Sequence, residues 1–375
     1  MNELHRLLGD LVAIDSVNPD LVPGGAGEAE LARFVGGWLE DAGLEVELDE
    51  VTPGRVNVIG RVAGTGGGRS LLLNAHMDVV GIDGVERPFE PRVEDGRLYG
   101  RGAYDMKAGL AAIMWAGAAA ARNPAAGDVI VTGVCDEEFA SIGAQALAKR
   151  VRADAAIVTE PSGAELAVCV AHKGFSWHTI EVSGRAAHGS RPEEGIDAIS
   201  KMGSVLVALE RLDQRVRSGA RHPLLGTGSL HASLIEGGRE LSTYPDRCVL
   251  QLERRTIPGE SADVVEAELT VMLEELAAVD PELRATLETT LVRDPFEVAA
   301  DAPIVEAVRD AAGRDLPVIG VPFWADSAIF ASAGIPTVIH GPGGAGAHAA
   351  VEYVELGQLD RVAETLIEVT RTFCG

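Results

Sequence analysis

Four short apolar runs in this chain each stop at residues able to bind a metal ion. Ser70 to Ala75 leads to His76 and Asp78, Val129 to Val134 to Asp136, Glu137 and Glu138, Ala155 to Val158 to Glu160, and Pro336 to Ile339 through glycines to His348. Uninterrupted runs of this length predict strands buried on both faces, as in a parallel sheet. In open α/β sheets the ligand crevice lies outside the carboxyl ends of the strands, so residues from 76 to 348 can meet there. A gathering of imidazoles and carboxylates predicts a metal site.

Around these runs the apolar period changes to that of helices. Helical patterns at Asn2 to Ile14 and Glu28 to Ala42 precede extended runs at Glu45 to Val51 and Arg55 to Val62. Lys107 to Arg122 and Ile142 to Arg150 then read as helices between the apolar runs, the alternation expected of crossover-connected strands. Near Lys173 the pattern shifts. Trp177 to Val182 alternates as a strand, Ile196 to Arg217 is a long helix, Ser229 to Ile235 and Cys248 to Arg254 are strands, Ala262 to Ala277 is a helix and Ala285 to Val292 a last strand. This β-α-β-β-α-β order is that of the ferredoxin-like unit. After Asp301 the first pattern returns. The expected organisation is therefore an α/β domain with a mostly parallel central sheet, made of residues 1–172 and 295–375, interrupted by an inserted domain of residues 173–294.

Charge narrows the partners. With 57 acidic and 32 basic side chains, the formal net charge is −25, which repels nucleic acid and anionic membranes. The four cysteines, Cys135, Cys169, Cys248 and Cys374, lack the close spacing of zinc ribbons or redox motifs. Glu3, His5, Arg6 and Asp10 interrupt the start of the chain, unlike the apolar stretch of a secretory signal, so a cytoplasmic protein is expected. The uncharged stretch Ala108 to Ala121 is shorter than the ~20 residues of a membrane helix and is expected to be a buried one.

The candidate ligands differ in what each says alone. His76 and Asp78 are two apart at a strand end and share a face, so Asp78 can hold an imidazole and fix which nitrogen faces a metal. Asp105, in the turn GRGAYDMKAG, would cap a helix by itself. Asp136, Glu137 and Glu138 are three adjacent acids that repel one another unless a cation or proton intervenes. Their neighbouring side chains diverge, so one can bind metal while the next faces a water. Pro161 favours an extended backbone at Glu160, keeping it at the strand tip. His348 closes GPGGAGAHA, where a backbone without bulky side chains can approach a ligand.

The segments NAHMDVV, GRGAYDMKAG, CDEE, TEPS, GRAAHGSRPEEGIDA, ERRTIPGE and GPGGAGAHA, in this order, resemble the M20 family of metallopeptidases and deacylases. That family includes acetylornithine deacetylase, succinyl-diaminopimelate desuccinylase, aminoacylase-1 and the glutamate carboxypeptidases, and the resemblance spans nearly the whole chain. It implies a zinc-exopeptidase-like catalytic domain with two Zn²⁺ per subunit, Co²⁺ or Mn²⁺ being possible replacements. His76 and Glu160 would bind one ion, Glu138 and His348 the other, and Asp105 would bridge them. Asp78 would orient His76, and Glu137 would be the general base. A cis peptide is implied after Asp105. His188, in the inserted lid and dimerisation domain, would reach the active site of a partner subunit in a homodimer, and Arg255 with Gly343 would hold a substrate carboxylate. Ser242, Thr243 and Tyr244 stand where many relatives carry a lid asparagine.

The expected substrate is an N-acyl amino acid, removed of its acyl group as in acetylornithine deacetylase. A dipeptidase or glutamate carboxypeptidase acting on short peptides is the alternative. A catalytically silent binding protein stapled by metal is the third reading, and a base at Glu137 argues against it.

Overall fold

Leu71–His76, Val129–Val134, Ala155–Pro161 and Thr337–Gly341 are buried strands in the computed structural model, which describes residues 2–375. They pair in parallel, with His76 beside Val134, Asn74 beside Val158 and Val158 beside Ile339. Their carboxyl ends therefore share one edge. Arg55–Val62 and then Glu45–Thr52 extend the sheet antiparallel beyond Val129–Val134, and Val168–His172 adds an antiparallel strand beside Thr337–Gly341. The sheet is thus mixed, with a parallel centre.

Apolar faces of helices cover it. Ala108–Arg122 is the buried helix expected from its alanines and glycines. Small residues let it press on the sheet: a Cβ at Gly109 would lie 2.3 Å from the Thr159 carbonyl oxygen. Glu3–Val12, Ala29–Asp41, Pro303–Ala312 and Leu356–Phe373 each turn an apolar stripe inward.

The chain divides into two compact units: Met1–Val170 with Val298–Ile319 and Ala325–Gly375, and Ala171–Glu297 with Gly320–Trp324. The short segment Gly320–Trp324 groups with the second unit, a return that the local pattern did not reveal. In the second unit Gly174–Ser183, Ser229–Gly237, Arg247–Thr256 and Arg284–Arg293 form an antiparallel sheet. Along this sheet the fourth strand pairs with the first, the first with the third and the third with the second. The helices Ala198–Ser218 and Ala262–Val279 join the strands, and Ile180, Val182, Leu250 and Leu252 pack with them. Among the described residues no helix is long and apolar enough to cross a membrane.

Candidate metal centre

The turn after Tyr99 is not the simple helix cap that Asp105 by itself would make. Asp105 and Met106 have non-helical backbone angles, and the peptide between them is cis. Gly102 takes a φ of 76°, and a Cβ there would lie 2.6 Å from Val79 Cγ1. This lets the chain swing Asp105 toward the strand end that carries His76. The two Asp105 oxygens face different histidines: Oδ1 is 3.2 Å from His76 Nε2 and Oδ2 is 3.5 Å from His348 Nε2. Glu160 Oε1 lies 3.6 Å from His76 Nε2, and Glu138 Oε2 lies 3.1 Å from His348 Nε2. His76, Glu137 and Glu160 offer ligand atoms within 4.8 Å of one another, as do His76, Asp105 and Glu138. The five expected ligands and Glu137 thus surround one small region.

Asp78 is fully buried below it and serves two strand ends at once. His76 Nδ1 is 2.9 Å from the Asp78 carbonyl oxygen and 3.6 Å from its carboxylate. The backbone oxygen, more than the side chain, orients the ring. The carboxylate accepts the backbone N–H of Glu137 at 3.0 Å, that of Glu138 at 3.1 Å, and Asn18 Nδ2 at 2.8 Å.

Electrostatics show how much negative charge this donor set gathers. Burial raises the pKa of Glu137 and Glu160 well above the usual carboxylate value, and nearby negative charges add to it, Glu160 and Glu138 on Glu137, and Asp105 and Glu138 on Glu160. Burial likewise raises Glu138, against its hydrogen bond to His348. Burial opposes charge on His76, yet Glu160, Asp105 and Asp78 outweigh it and raise its pKa well above normal. Hydrogen bonds to Asp105 and Glu138 raise His348 to about 10. Asp105 is held low against its burial by the two imidazoles. Four crowded carboxylates share two imidazoles, and buried Asp326 adds further negative charge against Glu137 and Glu160. Protons alone would have to balance them. Divalent cations balance such a set better, and its oxygen and imidazole donors suit zinc, cobalt or manganese.

Four supporting residues, Glu352, Arg101, Arg55 and Asn18, were not legible in the sequence. Glu352, almost fully buried, accepts the backbone N–H groups of Gly102 at 3.0 Å, Tyr104 at 2.9 Å and Asp105 at 3.0 Å, and Arg101 at 2.7 Å. Arg101 also donates to the carbonyl of Ala349, next to His348, at 3.1 Å. Arg55, buried, pairs with Glu28 at 2.6 Å, with Asp136 at 2.9 Å, and with Asp20. Asn18 donates to both Asp136 and Asp78. The only sequence signal was proximity, since Glu352 follows His348 by four residues and Asp136 precedes Glu137. Nothing in the sequence paired them with Arg101 or Arg55.

The remaining expected residues stand elsewhere. Gly343, in the first unit, donates its N–H to Gln358 Oε1 at 3.0 Å, so that donor is already engaged. Arg255 lies in the second unit, paired with Glu253 at 2.6 Å and stacked 4.9 Å from the Phe175 ring. His188, also in the second unit, is exposed and sits in a bridge with Thr243. Its Nδ1 accepts the Ser190 N–H at 3.2 Å.

The sequence model of Peptidase family M20/M25/M40 matches residues 72–372, most of the chain, including His76, Asp105, Glu137, Glu138, Glu160 and His348. The chain belongs to this family. As an M20 protein it is a metal-dependent hydrolase of amide or peptide bonds. An acetylornithine deacetylase of Myxococcus xanthus is 31% identical over 388 residues, covering 99% of this chain and 98% of that protein. One from Aliivibrio fischeri (strain MJ11) is 29% identical over 359 residues, covering 93% and 92%. Among solved structures, the aminopeptidase PepT of Bacillus cereus ATCC 10987 superimposes with a TM-score of 0.82 at 23% identity, covering 98% of this chain and 96% of that one. The Bacillus subtilis YXEP protein, a dinuclear metal binding peptidase of the M20 family, gives a TM-score of 0.76 at 18% identity, covering 98% and 96%. The α/β fold with its central mixed sheet is shared with these structures.

Proposed function

We propose that the protein removes the acyl group from an N-acyl amino acid, using two zinc ions held by the cluster around Asp105. The observation that carries this reading is the position of the Asp105 carboxylate, each of whose oxygens faces a different imidazole. His76 and Glu160 would hold one ion, His348 and Glu138 the other, and Asp105 both. Bound divalent metal would supply Lewis acidity, lowering the pKa of a water and neutralising charge that develops on the carbonyl oxygen.

The protein's own groups then have distinct tasks. Glu137 accepts a proton from the attacking water and returns it to the leaving nitrogen. Its backbone N–H, bound to Asp78, fixes where that carboxylate starts. His188, whose Nδ1 accepts a hydrogen bond, presents Nε2–H to the carbonyl oxygen as negative charge grows there. Following the resemblance, we assign this histidine to the centre of a partner subunit in a homodimer, and the second unit to the lid and dimerisation role. Arg255 grips the substrate carboxylate, for which a guanidinium offers paired donors. The Gly343 loop is a further carboxylate contact, through groups other than the N–H that Gln358 occupies.

The M. xanthus relative's full-length similarity supports a deacylase over a peptidase. Turnover by metal-loaded protein of N-acetyl amino acids, N-succinyl amino acids and dipeptides tests the reading. Cleavage of dipeptides alone would reject it.

A further inference from the structure

The open face of the sheet in the second unit carries a cavity that the reaction as described does not use. Along Gly174–Ser183 the residues alternate, with Ser176, His178, Ile180 and Val182 buried and Phe175, Trp177 and Thr179 on the opposite face. Register places Arg255 beside Phe175, Glu253 beside Trp177 and Gln251 beside Thr179, so all six stand on that face. The two flanking strands each have a register shift at this level, one between Ala232 and Leu234, the other between Thr289 and Leu291. Such bulges bend a strand and re-aim its side chains. Their extra residues, Ser233 and Thr290, line a cavity of about 390 Å³ together with Trp177, Leu234 and Glu253.

Two large apolar side chains stand open on its wall, among Thr179, Ser233, Gln251, Glu253 and Thr290. Trp177 is 47% exposed and Leu234 66%. The indole is fixed, with its Nε1 donating to Glu253 Oε2 at 3.0 Å and the Trp177 carbonyl accepting from Thr290 Oγ1 at 3.2 Å. Glu253 is fully engaged, because Arg255 Nε donates to its other oxygen at 2.6 Å. Phe175 lies 5.6 Å from Trp177, centroid to centroid, and under the Arg255 guanidinium, so an aromatic strip runs from that arginine into the cavity. A ligand whose carboxylate rests on Arg255 would find apolar surface beside it. A cationic side chain would find Arg255 and no unpaired acid on the wall.

We propose that this cavity receives a branched or aromatic apolar side chain of the substrate, making Trp177 and Leu234 specificity-determining residues. The proposal rests on the assignment of Arg255 to the substrate carboxylate. It sets this chain apart from an enzyme tuned to a cationic amino acid.

The test compares the metal-loaded full chain with its Leu234→Ala and Leu234→Asp variants on N-acetyl-L-leucine, N-acetyl-L-phenylalanine, N-acetyl-L-alanine and N-acetyl-L-ornithine. Leu234 is exposed, so both variants are expected to fold, which circular dichroism checks. Wild type should favour the leucine and phenylalanine substrates. Leu234→Asp should lower kcat/KM for those two by roughly tenfold, through KM, leave the alanine substrate within about twofold, and raise the ornithine one. Equal losses on all four substrates, or a wild-type preference for N-acetylornithine, would overturn the proposal. If none of the four is hydrolysed, the deacylase reading fails separately, and calorimetry of L-leucine and L-phenylalanine against L-ornithine then decides the cavity. Binding of the apolar pair that is weakened by Leu234→Asp supports it; absence of binding, or binding unchanged in the variant, overturns it.

Discussion

The Asp78 carboxylate accepts the backbone N–H of Glu137 at 3.0 Å, while the carbonyl of the same residue accepts from His76 Nδ1 at 2.9 Å. One buried residue thereby sets the spacing between a ligand and the acid next to the metal centre. Because Glu137 is placed through its backbone, its side chain can be changed without loosening the cluster. Glu137→Gln should retain metal, measured by elemental analysis, and lose at least ~10²-fold in turnover, the usual contribution of a general base. Full turnover in metal-loaded protein would remove Glu137 from that role.

Glu352 acts at a distance from the substrate, by holding the turn that presents Asp105. In Glu352→Gln an amide N–H₂ replaces one acceptor and meets a backbone donor, which unlocks the turn. Metal affinity should fall by roughly 10- to 100-fold, as for other groups that orient ligands. Titration of chelator-stripped protein with zinc reads this directly. An unchanged affinity would show that the turn holds without its carboxylate.

Arg55 sits between Glu28 and Asp136 with almost no solvent. Arg55→Met leaves two buried carboxylates without their cation and should cost about 3 to 5 kcal/mol in urea unfolding. Adding Glu28→Leu removes one of the stranded charges and should restore part of the loss. A single variant as stable as wild type would mean that Glu28 and Asp136 find other compensation.

His178 supplies a pH signature away from the metal. Burial lowers its pKa, and its two ring nitrogens lie 2.8 Å from Ser176 Oγ and 3.1 Å from Thr289 Oγ1. The folded state keeps the ring neutral while the unfolded chain protonates near pH ~6.5, so the unfolded state binds more protons as pH falls. Its contribution is present above about pH 6.5 and declines below it. Melting of wild type and His178→Gln between pH 8 and pH 5 should show the wild-type advantage shrinking on acidification. A constant gap would rule out this imidazole as a source of acid sensitivity.

Much of this was readable from local pattern. The four central strands and the candidate ligands gathered at their ends follow from apolar runs that stop at His or acid, and the period change near Lys173 follows from alternation on a one-sided sheet. Less visible was the strand Val168–His172, or the small sheet of Arg92–Glu94, Arg97–Tyr99, Gly344–Ala345 and Tyr353–Glu355. Three-residue strands such as Arg97–Tyr99 carry too few positions to express a period, and they form because partners distant in the chain supply the hydrogen bonds. The same reason hides Glu352 and Arg55. A lone acid or base has no sequence signature until the fold brings its partner to it.

The interruption of the first unit has a consequence for biosynthesis. His76, Asp105, Glu138 and Glu160 all precede the second unit, whereas His348 follows it. A ribosome releases the amino-terminal part first, so the nascent polypeptide carries its acidic half-cluster through translation of the whole intervening segment. Completion of the centre is thus a late event in the emergence of the chain, and truncation before residue 348 would yield a translation product unable to finish it.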